Sequence, residues 1–559
     1  MSALDDALRR AEEKLDEKDY AVLKAVVNAY DIIAELVDDK NTTIARLRKL
    51  LFGAQSEKTK AVLGSGKDSN TSSSQESSAA PTRGADGKAA SSSPTLAANA
   101  EKPQRKGHGR NGADAYVGAE KIAVSHESLQ PGDLCPQCGK GTVYETGRPG
   151  VLVRLVGRSP IQAKVYELQK LRCNLCGVVF TAKPPDGVGA EKYDATCGSM
   201  IALLKYGSGM PFNRMEGLQA NMGVPLPAST QWEIVHSKAE KIEPVFEELL
   251  RQAANGEVVH NDDTTVKILQ LMAERSEEQA DSEEGKDDAD ATDKPGANRK
   301  GTFTTGIVAT KGGRKIALFF SGRRHAGENL REVLLRRTAT LDAPIQMCDA
   351  LTRNLPGELK TIVAHCLAHS RRRFVEVADR FPEECRYVLE SLAVIYGNDA
   401  IARDRKLSPS ARRHFHQAES GPTMDKLHAW LSRQFGERLV EPNSSLGTAI
   451  SYTLKHWDRL TVFLRVPGAP LDNNICERAI KRAILHRKNA LFYKTCRGAR
   501  VGDLFMSLIH TCQLCGASPL DYLTELERHA GELSDDLDHW MPWSYRDTLT
   551  AASAPPVAY

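Results

Sequence analysis

Apolar residues at Val26, Tyr30, Ile33, Val37, Ile44, Leu47 and Leu51 step by alternating fours and threes, with Lys40 filling the one gap. That heptad pattern predicts a leucine-zipper-like coiled-coil region over residues 1–58, ending where Gly53 can cap the helix. Residues 59–115 are mostly Ser, Ala, Gly, Thr and Pro, too poor in large apolar groups to fold, and predict a disordered linker. A helix isolated by such a linker has little to bury against except a second copy of itself or a partner, so a homo-oligomer is expected. The linker turns basic at Lys102, Arg105, Lys106 and Arg110, which suits a strand laid along phosphates as well as a solvated tether.

Alternation at Val151, Val153 and Leu155, and then at Val165, Leu168 and Leu171, predicts a β hairpin within residues 116–182. From 183 to 254 the period becomes helical, with Pro211–Met222 and Ala228–Ile242 separated by a Gly223–Pro227 turn. This is the outline of a helix-turn-helix, with Ser229, Thr230, Gln231 and Lys238 towards DNA and Trp232 and Val235 inward, and equally of a plain helical pair. Strands follow at Val258–Val266, continued by Ile268–Met272, and at Thr302–Ala309 and Lys315–Phe320, the last two joined by Gly312-Gly313. A helix at Glu328–Arg337 leads to strands at Ala343–Cys348 and Ile362–Ala364. Three strands that can pair as a meander, then a helix and a crossover strand, match the ribonuclease H layout. The fold class expected is multidomain α+β: an α/β core over 255–370 with an acidic disordered loop at 274–298, an all-α insertion over 371–465, the end of the core at 466–515, and a tail over 516–559.

Composition narrows the partners. With 75 basic and 72 acidic residues the net charge is only +3, so a nucleic-acid surface must come from local segregation of charge. No run of about 18 apolar residues occurs and the N-terminus lacks a signal-peptide core, so a cytoplasmic, nucleoid-associated protein with no membrane partner is expected. Of 12 cysteines, four form two Cys-x-x-Cys knuckles, Cys135/Cys138 and Cys173/Cys176. Four thiolates complete a closed tetrahedral shell, so one structural Zn²⁺ in a zinc ribbon is expected.

Acids and bases are patterned as well. Asp262 lies in the first core strand, Asp349 follows the fourth, and Glu477 sits in LDNNICERAIKRAILHRKN among Arg478, Lys481, Arg482, Arg487 and Lys488. As one helix, this stretch puts Asn473, Glu477 and Lys481 on one face and Ile480, Ala483 and Ile484 on another. Alone it reads as a solvated helix with local ion pairs. Three gathered carboxylates, however, repel one another unless a cation sits between them, and hard oxygen ligands select Mg²⁺ or Mn²⁺. Cys366 and His369 have no second ligand pair and read as a packed thiol and a polar ring; His369 with Arg371, Arg372 and Arg373 is assigned to DNA contact.

The stretches LRKLLFGAQSEK at Leu47, KGHGRNGADAY at Lys106, CPQCGKG at Cys135, HNDDTTVKIL at His260, CLAHSRRRF at Cys366 and DNNICERAIKRAILHRKNALF at Asp472 resemble IS66-type insertion-sequence transposases. The resemblance implies a DDE transposase that binds the terminal inverted repeats of its element and performs metal-dependent strand cleavage and transfer into target DNA. Asp262, Asp349 and Glu477 would be its catalytic triad, holding two Mg²⁺ or Mn²⁺ ions, and accessory proteins of the same element could assist. Departures are Asp263, where the family usually has Glu, the Ala350-Leu351 pair after Asp349, and the long acidic insert. The rival readings are a zinc-ribbon DNA-binding repressor or scaffold without chemistry, and a domesticated inactive element.

Overall fold

The computed structural model describes residues 121–145, 151–274 except 156, 173, 175–177 and 190, and 301–553 except 534 and 535, with single positions 114, 116 and 119 before them. The expected coiled coil, nearly all of the linker, and the acidic loop from 275 lie outside the described residues. The chain divides into two units, Ser69–Pro160 and the remainder.

In the smaller unit the first knuckle is a tight turn. The Cys135 N–H donates to Gly141 O at 2.7 Å and the Gly139 N–H to Cys135 O at 2.8 Å, while Gly139 takes φ +63°, where a side chain would be strained. In the larger unit, strands β1 (Lys170–Arg172) and β2 (Val179–Thr181) pair antiparallel around the second knuckle. The hairpin thus straddles that knuckle, and the described residues of 151–169 form no strand, contrary to the alternation at Val151 to Leu155.

Helix α1 (Ala195–Ala202) starts on the Asp194 carboxylate, which accepts the Cys197 N–H. Helix α2 (Phe212–Asn221), a turn with Gly223 at φ +75°, and helix α3 (Ala228–Ala254) follow. The expected second helix therefore runs on to Ala254, through Pro244. Two residues assigned to DNA are instead interior. Gln231 donates to Leu226 O at 2.8 Å, and Lys238 donates to Ser199 Oγ at 2.9 Å and pairs with Glu527 at 2.5 Å.

Five strands then make one mixed sheet: β3 (Val258–Thr265), β4 (Phe303–Lys311), β5 (Arg314–Gly322), β6 (Ile345–Cys348) and β7 (Ile362–His365), in the order β5-β4-β3-β6-β7. The first three are antiparallel, while β6 lies parallel to β3 and β7 parallel to β6. Ile268 to Met272 does not extend β3; Ile268 makes one parallel bridge to Tyr493 and residues 269–274 turn helical. Helix α4 (Ala326–Leu334) makes the crossover, started by a capping box between His325 and Glu328.

Directly after β7 the chain enters a helical region: α5 (Leu367–Val377), α6 (Pro382–Asp404), α7 (Pro409–Glu419), α8 (Gly421–Gly436) and α9 (Ser445–Lys455). Helix α5 crosses the expected boundary at 371, so its arginines stay attached to the sheet. Leu389, Ile395, Leu431 and Ile450 form part of a second core, which also takes in Ile345 and Met347 of β6 and Ala364 of β7. Helices α10 (Asn474–Ala490) and α11 (Cys496–Cys515) return to the sheet, and α12 (Pro519–Arg528) packs on α1 and α11.

Helix α11 closes the β5 edge. Asp503, Ser507 and Thr511, at i, i+4 and i+8, accept the N–H groups of Ser321 (2.6 Å), Phe319 (2.9 Å) and Ala317 (3.0 Å). Alternate N–H groups of an edge strand point outward and need partners. One helix face supplies them.

Candidate active site

The middle of β3 and the carboxyl end of β6 bring two acids together. These strands pair in register from Val258 with Ile345 to His260 with Met347, so Asp262 and Asp349 each lie two residues beyond the last pair, on adjacent strands. Asp349 is held by the loop that follows: its Oδ1 accepts from the Leu351 N–H at 3.2 Å and from the Asn354 amide. Asn354 O in turn accepts from Asn261 at 2.8 Å and Gln346 at 2.7 Å, which anchors the loop beneath the sheet.

Glu477 arrives on α10. Two contacts set the helix close to Asp262. In the β3–β4 ladder Asp262 faces Gly306, and a Cβ built there would come 2.8 Å from Ile480 Cδ1. Glycine is what lets α10 settle on the sheet at this point; Cys476 Sγ, one turn before Ile480, donates to Gly306 O at 3.2 Å. The second contact is Asn473, fully buried at the start of α10. Its Nδ2 donates to Asn261 O at 3.1 Å, its Oδ1 meets His260 Nδ1 at 3.0 Å, and its N–H donates to Cys366 Sγ at 3.2 Å. Burial pushes His260 down to about 4, so the ring is neutral and Nδ1–H is the donor to Asn473.

The electrostatics follow from this crowding. The Asp262 carboxyl is pushed up to about 7, first by burial, then by Asp349, with Asp263 and Glu477 adding to it. Glu477 Oε1 is buried with no hydrogen-bond partner among the described residues, although His369 Nε2 lies 3.7 Å away and Arg372 stands 3.6 Å from Oε2. An all-oxygen donor set with an unsatisfied carboxylate oxygen fits a hard divalent cation. Cys366, His369 and Glu477 also bring a sulfur, a nitrogen and an oxygen within 4.8 Å of one another. Burial, however, pushes the Cys366 thiol up to about 12, and its sulfur already accepts the Asn473 N–H, so this cluster is a wall of the site.

Asp263, next in the strand, takes a different role. Its Oδ2 meets His325 Nδ1 at 2.9 Å and its Oδ1 lies 3.3 Å from Arg353, which fixes the start of α4.

The basic residues separate into groups. Arg478, Lys481 and Lys488 are exposed along α10. Arg482 is half-buried, and Arg487 donates to Thr264 Oγ1 at 3.2 Å and Thr265 Oγ1 at 2.7 Å, tying the end of α10 to β3. On α5, Arg371 is half-buried, Arg372 faces Glu477, and Arg373 lies over the Tyr452 ring at 3.9 Å. Sequence reasoning passed over Gly306, whose importance depends on strand register, and gave Asn473 a helix face but no task.

In the first knuckle the N–H groups of Gly141 and Lys140, together with Cys135, hold the Cys138 thiol below its ordinary range. Backbone donors aimed at a sulfur suit a thiolate ligand, so this pair fits zinc. Cys173 and Cys176 lie outside the described residues.

Comparison with known proteins gives consistent matches. A profile of the family described as "Transposase IS66 family" matches residues 192–282 and 308–501, together just over half of the chain. Three proteins of Sinorhizobium fredii (strain NBRC 101917 / NGR234) are similar along most of their length. The uncharacterized protein y4hP is 25% identical over 453 residues, covering 76% of this chain and 75% of its own. The uncharacterized protein y4jD is 23% identical over 526 residues, covering 92% and 96%, and y4qI is 24% identical over 468 residues, covering 80% and 79%.

Proposed function

The chain belongs to the IS66 family of transposases, and from that premise we propose that it is a DDE transposase that binds the terminal inverted repeats of its element, cleaves there, and joins the freed end to target DNA. The observation that carries the reading is the convergence of Asp262, Asp349 and Glu477 at the carboxyl end of a five-stranded sheet ordered as in ribonuclease H. A buried carboxyl such as Asp262, whose proton affinity is raised by burial and by neighbouring carboxylates, is costly to ionise unless it binds something positive.

In this reading Asp262, Asp349 and Glu477 hold two Mg²⁺ or Mn²⁺ ions. Such ions, when bound, activate water or a 3′-hydroxyl and stabilise the leaving oxygen. The chain's own residues do the rest. Arg478, Lys481 and Lys488 line the exposed side of α10 and bind the phosphodiester backbone, and Arg372 orients Glu477. Arg371 and Arg373 carry the contact onto the helical region, while Arg482 and Arg487 hold α10 in place more than they reach DNA. Cys135, Cys138, Cys173 and Cys176 bind one structural zinc, and residues 1–58 join copies of the chain. None of the described helices is long and apolar enough to cross a membrane.

The test is cleavage and joining of DNA carrying the element ends with Mg²⁺, comparing wild type with Asp262→Asn, Asp349→Asn and Glu477→Gln. Loss of both steps in each variant is expected. Full activity in all three would overturn the assignment.

A further inference from the structure

Beside the carboxylates is a cavity of about 260 Å³ whose lining includes Asp349, His369, Arg372, Arg373, Glu376 and Tyr452. Its floor comes from the core and its wall from the helical region. The Arg373 guanidinium rests 3.9 Å above the Tyr452 ring, and the ring meets His456 edge-on at 4.8 Å. Arg373 is exposed and Tyr452 half-buried, so the stack presents one flat cationic face to the cavity and keeps its ring anchored behind.

The charges here select the ligand. Arg372 is already drawn to Glu477, and Asp349 and Glu376 stand across the same cavity, so an anion entering it would meet two carboxylates. A neutral, planar, hydrogen-bonding group has no such penalty: it can stack on a guanidinium or aromatic plane and donate to Glu376. The volume is on the scale of one nucleotide.

We propose that the Arg373–Tyr452 stack is a platform for one unpaired nucleobase, held next to Asp349. The inference rests on the transposase reading and adds to it a strand-opening role for the helical region. A base lodged there is taken out of the duplex close to the scissile phosphate. Bases already unpaired or mismatched enter at lowest cost.

The test uses the full chain with its zinc, in buffer without added Mg²⁺ or Mn²⁺ so that cleavage plays no part, and compares fluorescein-labelled duplexes that are fully paired, carry a single-base bulge, or carry an abasic residue at the bulge. Wild type is expected to bind the bulged duplex at least about fivefold more tightly than the paired one, the scale of one base stack. It should lose that preference with the abasic strand. Tyr452→Ala and Arg373→Gln should each abolish the preference, and Tyr452→Phe should keep it, because stacking needs the ring and not the hydroxyl. A preference that survives the abasic change, or survives both Tyr452→Ala and Arg373→Gln, overturns the proposal. Should Tyr452→Ala fail to fold, the abasic duplex and Arg373→Gln decide. Because binding is read without Mg²⁺ or Mn²⁺, the platform can fail while Mg²⁺-dependent cleavage persists, and the reverse.

Discussion

Asn473→Ala should uncouple the site from the sheet while leaving every carboxylate in the chain. The side chain is fully buried and makes two hydrogen bonds into β3, donating to Asn261 O at 3.1 Å and accepting from His260 Nδ1 at 3.0 Å. Alanine leaves that carbonyl and that imidazole N–H without their partner in a dry interior, and each such group costs about 1–3 kcal/mol. The expected loss of stability is therefore roughly 2–6 kcal/mol, with the third link, the N–H to Cys366 Sγ, retained because it is backbone. The larger effect falls on geometry. Glu477 is one turn along from Asn473, and a displacement near 1 Å in a catalytic constellation can cost about 10²-fold in rate. Urea denaturation gives the first quantity, and Mn²⁺ titration with cleavage of end-containing DNA gives the second. An unchanged urea midpoint together with cleavage within about twofold of wild type would refute the idea that Asn473 seats α10.

Three further outcomes are expected. Gly306→Val should drive a side chain into Ile480 on α10, costing about 1–3 kcal/mol by overpacking and weakening metal binding; unaltered Mn²⁺ affinity would contradict the close approach. Asp503, fully buried against Ser321, is pushed up to about 7 by burial, above its unfolded value. Its contribution to stability is thus fully present below about pH 4 and is lost as pH rises through 7, at up to about 1.4 kcal/mol per unit; Asp503→Asn should flatten the urea midpoint between pH 4 and 7, and an unchanged slope counts against it. Elemental analysis should find zinc bound to the wild-type chain and less of it in Cys135→Ser and Cys173→Ser, whereas full zinc content in both variants would remove the ribbon.

The strands of the core were legible because β-rich apolar runs between glycine turns have few alternatives, and the acids could be placed on the first strand at 262 and just after the fourth at 349. Glu477 was legible as part of a helix. What stayed hidden depends on partners far along the chain. Lys238 looks like a DNA contact on a helical wheel, yet its carboxylate partner, Glu527, is 289 residues away. Gln231 misled for a different reason: its acceptors are nearby main-chain carbonyls that no pattern displays. Ile268 to Met272 is too short for its period to separate strand from helix. Gly306 carries no pattern at all until β4 is registered against β3. The hairpin was misplaced because alternation at 151–155 has the pattern of a strand, whereas the two strands that pair are three residues each, too short to show one.

Helix α11 accepts from β5 only after about 180 more residues have been made, as the separations from Ser321 to Asp503 and from Ala317 to Thr511 show. At a synthesis rate of 5–20 residues per second, that leaves the strand's outer N–H groups waiting for roughly 10–40 s on the ribosome. During that interval the nascent chain exposes a template for pairing with a neighbour on the same message. A product cut short before residue 496 never loses it. Completion of the polypeptide is thus written into the sheet itself, and prematurely terminated copies should be recognisable to the cell as clients of holdase chaperones and proteases.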